Sequence, residues 1–151
     1  MIKLIAVTDS NFGISKNEQI PWAFSDDLRF FRENTLHQVV IMGRKTYFSL
    51  PNGPLINRKN CVISTKYKEL PGAEVFSTLE AAIFKYHDAW IIGGAEIYNY
   101  SLSHQLIQRA LITIVNKNYN ADKAIDKKLL PTTFTTLYYD TYKIREYIFS
   151  Y

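Results

Sequence analysis

Asp27 sits in the run Ile20-Pro21-Trp22-Ala23-Phe24-Ser25-Asp26-Asp27-Leu28-Arg29-Phe30-Phe31, where two carboxylates are set among apolar and aromatic side chains. Ser25 is placed to cap a helix, which puts both acids in the first turn, where the helix dipole favours negative charge. If that helix buries Leu28 and Phe31, Asp27 borders the buried stripe and Asp26 faces solvent, because neighbours on one helical face recur three and four residues apart. Two readings of Asp27 follow. It caps a helix, or it is a carboxylate held in an apolar cleft to bind a ligand or exchange a proton.

Gly93-Gly94-Ala95-Glu96-Ile97-Tyr98 follows an apolar strand and opens a helix, a context in which backbone N–H groups can face a phosphate. The same glycines also serve a tight turn for conformational reasons alone. Gly43-Arg44-Lys45-Thr46 lies at a second strand-to-helix junction and ends like a phosphate-binding loop of nucleotide hydrolases, but the earlier glycine such a loop requires is replaced by Gln38, which excludes that class. The junction still offers two cations and a hydroxyl, and Ser64-Thr65-Lys66 adds two hydroxyls and a cation after the next strand. Brought together they would hold a phosphate, with Arg44 suited to bidentate contact; apart, they are a solvated basic surface.

The elements that must position these groups alternate. A strand is expected at about residues 2 to 8 and a helix from about 26 to 36, followed by a strand at 38 to 42, a short helix from Arg44, and strands at 61 to 64 and 73 to 76. Ser77-Thr78-Leu79-Glu80 fits a capping box opening a helix that runs to about Tyr86, and Ala89-Trp90-Ile91-Ile92 precedes the glycine pair and a further helix. Strands at 110 to 115, 134 to 139 and 144 to 149 then follow without intervening helices. The pattern predicts an α/β fold, a mostly parallel sheet with an antiparallel C-terminal edge and helices on both faces. Residues 116 to 126 and Pro51-Asn52-Gly53-Pro54 read as long functional loops.

With 151 residues, 47% of them hydrophobic, the chain has material for one core and reads as one domain over 1–151. Its formal charge of +4 is too mild to argue for nucleic acid, since the basic residues are scattered. Cys61 is the only cysteine, which excludes an intramolecular disulfide and favours a reduced, cytoplasmic setting. No segment has transmembrane length, and residues 1 to 7 are too short an apolar run for a signal sequence, so neither membrane insertion nor secretion is expected.

Ile5-Ala6, Pro21-Trp22, Asp27-Leu28, Phe31, Ile41-Met42-Gly43-Arg44-Lys45-Thr46, Arg58-Lys59-Asn60, Ile92-Gly93-Gly94-Ala95-Glu96-Ile97-Tyr98 and Thr113 resemble, in order and spacing, the pattern of dihydrofolate reductases. The likeness spans nearly the whole chain and suits the short single-domain bacterial or viral type. It implies an eight-stranded sheet and NADPH-dependent reduction of 7,8-dihydrofolate to tetrahydrofolate, with hydride passing to pterin C6 and a proton to N5, by a cytoplasmic monomer. No metal is implied.

Carried over residue by residue, the resemblance gives Asp27 the pterin N3 and 2-amino groups, Thr113 the orientation of that carboxylate, and Trp22 a place in the loop and water network over the site. Ile5, Leu28, Phe31, Leu50 and Leu55 would wall the ring system, with Ala6 and Ile92 beside it, and Arg58 would pair with the substrate's α-carboxylate. Lys59 and Arg32 would be surface charges near that tail. Ala6, Val7 and Ile14 would hold the nicotinamide carboxamide, with Tyr98 near its ring. Arg44, Ser64, Thr65 and Lys66 would surround the 2′-phosphate, and Gly43, Lys45, Thr46, Gly93, Gly94, Ala95, Glu96 and Ile97 would serve the rest of the cofactor, across a Gly93-Gly94 peptide that is cis in the family.

Three departures bear on the mobile loop. Ser15 stands where the family often has glycine, Asp122-Lys123-Ala124 replaces an Asp-Thr pair, and the turn at Tyr139-Asp140-Thr141-Tyr142 is short, while Ala23 lacks a polar side chain to bond to it. An open, cofactor-occluding loop state is therefore expected to be poorly stabilised. Two other functions fit parts of the sequence: a reductase-like fold kept as a binding or structural subunit, as in a viral particle, and a pyrimidine reductase of riboflavin synthesis. The second does not explain Pro21-Trp22, Asp27 and Arg58 together.

Overall fold

The computed structural model describes residues 1–17, 19–22 and 24–151. Ile2–Thr8 (β1) is almost wholly buried because it lies inside the main sheet, with parallel neighbours on both sides. After it come Gly13–Ser15 (β2), Ser25–Thr35 (α1), Val39–Gly43 (β3), Arg44–Ser49 (α2), Lys59–Ile63 (β4), Ala73–Phe76 (β5) and Leu79–Lys85 (α3). The chain continues through Ala89–Ile91 (β6), Ala95–Ser103 (α4), Arg109–Val115 (β7), Lys123–Ala124 (β8), Thr135–Tyr138 (β9) and Tyr142–Ile148 (β10). The eight-stranded sheet has the order β5-β4-β3-β6-β1-β7-β10-β9. Pairing is parallel from β5 to β7 and antiparallel at β7–β10 and β10–β9, which is the expected antiparallel C-terminal edge.

Alternation along these strands divides the core in two. Leu4, Ile41, Cys61, Ile91 and Ile112 face one layer, joined by Leu79 and Ala82 of α3 and Tyr98 and Leu102 of α4. Ile5, Val40, Met42, Val62, Trp90 and Leu111 face the other, covered by Phe30 and Phe31 of α1 and Tyr47 of α2. Helices therefore cover both faces. Thr113, two residues beyond Leu111, points to the α1 side, and so does Ile144, its partner across the β7–β10 pair.

Several boundaries differ from expectation. Phe24, and not Ser25, is the N-cap of α1, and it makes no side-chain cap; Ser25 has already turned helical. The capping box shifts likewise: Thr78 caps α3 by accepting from Ala81 N at 3.1 Å, while the Glu80 carboxylate takes a hydrogen bond from Tyr100. The segment 116 to 126 is not all loop, since β8 within it pairs with β2 in a separate two-stranded sheet. Neither strand has enough apolar residues for alternation to reveal it. The turn at 139 to 141 is indeed short, joining β9 to β10 directly.

Candidate active site

Asp27 is 7% exposed, on the first turn of α1, and its inward direction is set by the helix's period: Asp27, Phe30, Phe31, Asn34 and Thr35 turn toward the sheet. Leu28 does not. It is 60% exposed, contrary to the expectation that it shares the buried stripe with Phe31, because it stands about 100° round the helix from Asp27. Asp26 faces solvent as expected, paired with Arg29 at 2.8 Å.

Burial raises the Asp27 carboxyl from its ordinary 3.8 to about 6, and a hydrogen bond from the Thr113 side chain opposes part of that rise. A buried carboxyl poised near neutrality can both accept hydrogen bonds and exchange a proton. Tyr98, on α4 across the sheet, donates to the Ile5 carbonyl at 2.7 Å. Its hydroxyl is held far above the ordinary range, chiefly by burial and then by the Asp27 charge, so the two groups share one electrostatic environment. Ile5, Ile92, Phe31, Leu50 and Leu55 fall in the same apolar cluster on the α1 side.

Arg58 is positioned differently from Asp27 and Thr113. Those two line one cleft of about 290 Å³, whereas Arg58 lines another of about 590 Å³ with His37 and Gln38. The link between them is α1 itself: Arg58 Nη1 donates to Thr35 Oγ1 at 3.1 Å, on the face that carries Asp27 eight residues earlier, a rise of about 12 Å. Arg58 Nε donates to the Ile56 carbonyl at 2.9 Å, which leaves part of the guanidinium fork free. Lys59 pairs with Glu74 at 3.3 Å and lines the same cleft as Arg58, whose proton affinity is lowered first by burial and then by the nearby Arg32.

The glycine turn closes the other side. Gly43 N bonds to Gly93 O at 2.9 Å, so the ends of β3 and β6 lie side by side, and the Gly93-Gly94 peptide is cis. Gly93 has φ +124°, a conformation that favours glycine, and a Cβ there would sit 3.3 Å from the Tyr98 hydroxyl, a tight contact. At Gly94 a Cβ would meet only Thr46 Oγ1, at 3.5 Å, which places that hydroxyl against the start of α4. Gly94 caps α4 without a side chain, leaving its first N–H groups open, with Ala95, Glu96 and Ile97 in the first turn. Gly43 pairs with Ile63, so Arg44 and Ser64 leave adjacent strand ends. Ser64 Oγ accepts from the N–H groups of Lys66 and Tyr67, both at 3.1 Å, which folds the Ser64-Thr65-Lys66 turn and leaves the hydroxyl proton available. Thr65, Lys66 and Lys45 are exposed.

Trp22 is buried, donates to the Val7 carbonyl at 3.4 Å and packs on Tyr119 with centroids 5.4 Å apart. Ala6 and Ile14 are buried nearby on the α4 side of β1. Sequence reasoning missed Asp9, which is fully buried and accepts from Asn11 N, Gly13 N and Tyr119 N at 2.9, 2.7 and 3.1 Å, tying the β1–β2 turn to the 116–121 segment. The spacing Asp9-Ser10-Asn11-Phe12-Gly13, an Asx turn closing on glycine, was its available signal. It also missed Thr35, whose hydroxyl contact with Arg58 has no local sequence mark.

The sequence pattern described as dihydrofolate reductase matches residues 1–146. The chain belongs to the dihydrofolate reductase family. It is 42% identical over 105 residues to a dihydrofolate reductase of Neisseria meningitidis and 38% identical over 104 residues to one of Buchnera aphidicola. Each match takes in 67% of this chain and 65% of the relative, so the chain spans just under two thirds of those proteins' length. In fold it is similar to a dihydrofolate reductase from Enterococcus faecalis complexed with NADP(H) and RAB-propyl, with a TM-score of 0.81, 23% identity, and 98% and 95% of the two chains covered. Among the described residues no helix is long and apolar enough to cross a membrane.

Proposed function

We propose that the protein reduces 7,8-dihydrofolate to tetrahydrofolate with NADPH, as a single-domain, cytoplasmic monomer. The observation that carries this reading is Asp27: a buried carboxyl raised to about 6, bonded by Thr113 and electrostatically coupled to Tyr98 beside the glycine turn. Its carboxylate accepts from the pterin N3 and 2-amino groups, which fixes the ring and raises the proton affinity of N5, where a water-borne proton arrives. Ile5, Phe31, Leu50, Leu55 and Ile92 supply apolar walls, and exposed Leu28 stands at the rim as a further wall. Arg58, oriented by Thr35 and the Ile56 carbonyl, offers its remaining N–H groups to a carboxylate about 12 Å along α1 from Asp27.

The residues present fit a dinucleotide. The side-chain-free start of α4, with Thr46 against Gly94, suits a pyrophosphate, and Arg44 beside Ser64 and Lys66 suits a 2′-phosphate. Ala6 of β1, Ile14 of β2 and Tyr98 of α4 belong to one buried cluster and, with Val7 beside Ala6, would hold the nicotinamide. When bound, that group supplies the hydride for pterin C6. The test is an absorbance assay of purified protein with dihydrofolate and either NADPH or NADH. Oxidation of NADPH that depends on dihydrofolate is expected; failure with both coenzymes would leave the binding or structural subunit as the better reading.

A further inference from the structure

The cleft that reaches Asp27 and Thr113 is not walled by the other residues assigned to the pterin. Its opposite wall consists of Tyr139, Tyr142 and Ile144 from the β9–β10 hairpin. The rings of Tyr139 and Tyr142 are stacked, with centroids 4.5 Å apart and planes 10° from parallel. Tyr142 also packs on Phe24, at 4.7 Å, and Phe24 is the N-cap residue of α1 that lacks any side-chain cap. A ring contact thus holds the helix start where a polar cap ordinarily would. Register makes the arrangement rigid: Tyr142 pairs with Val115 and Ile144 with Thr113, so the strand that fixes Phe24 is bonded directly to the strand that orients Asp27.

We propose that Tyr142 is a positioning residue for Asp27, its ring fixing the first turn of α1 through Phe24 and, with Tyr139, narrowing the cleft through which water reaches the carboxyl on the β10 side. The role rests on the reduction proposed above, in which Asp27 governs proton affinity at the pterin. Desolvation dominates the carboxyl's behaviour, so removing a wall should let water stabilise the charged form. Among the described residues, the charged and titratable groups that line the cleft with the carboxyl or feel its charge are Asp26, Arg29 and Glu33 from α1, Tyr98 from α4, and Tyr139 and Tyr142 from the hairpin. Asp26 is neutralised locally by Arg29, and the Tyr142 phenol itself feels both Asp26 and Asp27. The ring, more than the hydroxyl, is the effective part, because the Tyr142 hydroxyl is not what bonds the carboxyl; Thr113 is.

The test reads the Asp27 carboxyl carbon by 13C NMR against pH in the substrate-free protein, so its outcome does not depend on whether the assigned reaction is right. In Tyr142→Ala the midpoint should fall by roughly one pH unit toward the ordinary carboxylate value, while Tyr142→Phe stays at the wild-type midpoint. Tyr139→Ala, which removes the outer ring without touching the β7–β10 pairing, should move it the same way by less, and so keeps the test open if Tyr142→Ala does not fold. An unmoved midpoint in both alanine variants, or a Tyr142→Phe midpoint that moves as far as Tyr142→Ala, overturns the proposal.

Discussion

Arg58 Nη1 donates to Thr35 Oγ1 at 3.1 Å, so the cation assigned to the substrate tail is held by the same helix face that carries Asp27. Thr35 is fully buried, and its hydroxyl also bonds back to the Phe31 carbonyl at 2.9 Å, which fixes the acceptor that Arg58 uses.

Thr35→Val keeps the volume and removes the acceptor. The bond holds the guanidinium with or without substrate, so only its orienting effect enters binding: KM for dihydrofolate should rise severalfold, on the order of 1 kcal/mol, while kcat changes little, since the tail is remote from the reacting atoms. Steady-state kinetics separate the two parameters. A fall in kcat with KM unchanged would count against the assigned role of Arg58.

The segment over the site is braced at two points: Asn17 N donates to Asp122 Oδ2 at 2.9 Å and Asp122 N to the Ser15 carbonyl at 3.1 Å. With so short a hairpin at 139 to 141, partners for an alternative, cofactor-occluding position are few; Ala23, assigned to the same question, lies outside the described residues. Relaxation dispersion on the amides of Ser15, Lys16 and Asn17 in a product complex should show little exchange in the wild type and marked exchange in Asp122→Ala. A well-populated second state in the wild type would contradict this.

Asp27 also bears on stability. Its folded carboxyl is raised to about 6 from 3.8, so between these values the folded state binds more protons than the unfolded state and stability falls as pH rises. Above about pH 6 the full penalty of holding a buried charge is present, on the order of 3 kcal/mol. Asp27→Asn should therefore raise the Tm of the ligand-free protein at pH 7, and that gain should fade as pH is lowered toward 4. Equal melting temperatures at pH 7 would mean that the carboxyl is not desolvated.

The alternation of strands and helices was readable because apolar runs and strand-to-helix glycines are local signals, and β1, β5 and the Gly93-Gly94 turn lie where they mark them. The short β2–β8 pair was not, since Gly13–Ser15 and Lys123–Ala124 are recruited by Asp9 and the loop contacts around it, which are tertiary. Asp27 could be singled out from its apolar surroundings, but Leu28 is exposed where burial was expected, because the inward side of α1 is fixed by Asp27 and Thr35 and their partners, buried Thr113 and half-buried Arg58. Polar residues set the helix's orientation there, and a hydrophobic pattern does not record that. Tyr142 and Tyr139 likewise gave only a turn in the sequence; their stacking behind the carboxyl depends on the β7–β10 register.

The measurement that bears most directly on Asp27 is single-turnover hydride transfer followed against pH in the wild type and in Asp27→Asn. The wild-type rate should fall as pH rises and the proton needed at N5 becomes scarce, and Asp27→Asn, which lacks the charge that raises the proton affinity of N5, should be at least roughly a hundredfold slower at pH 7. A variant that keeps the wild-type rate and the same pH profile would show that the buried carboxyl plays no part in the chemistry.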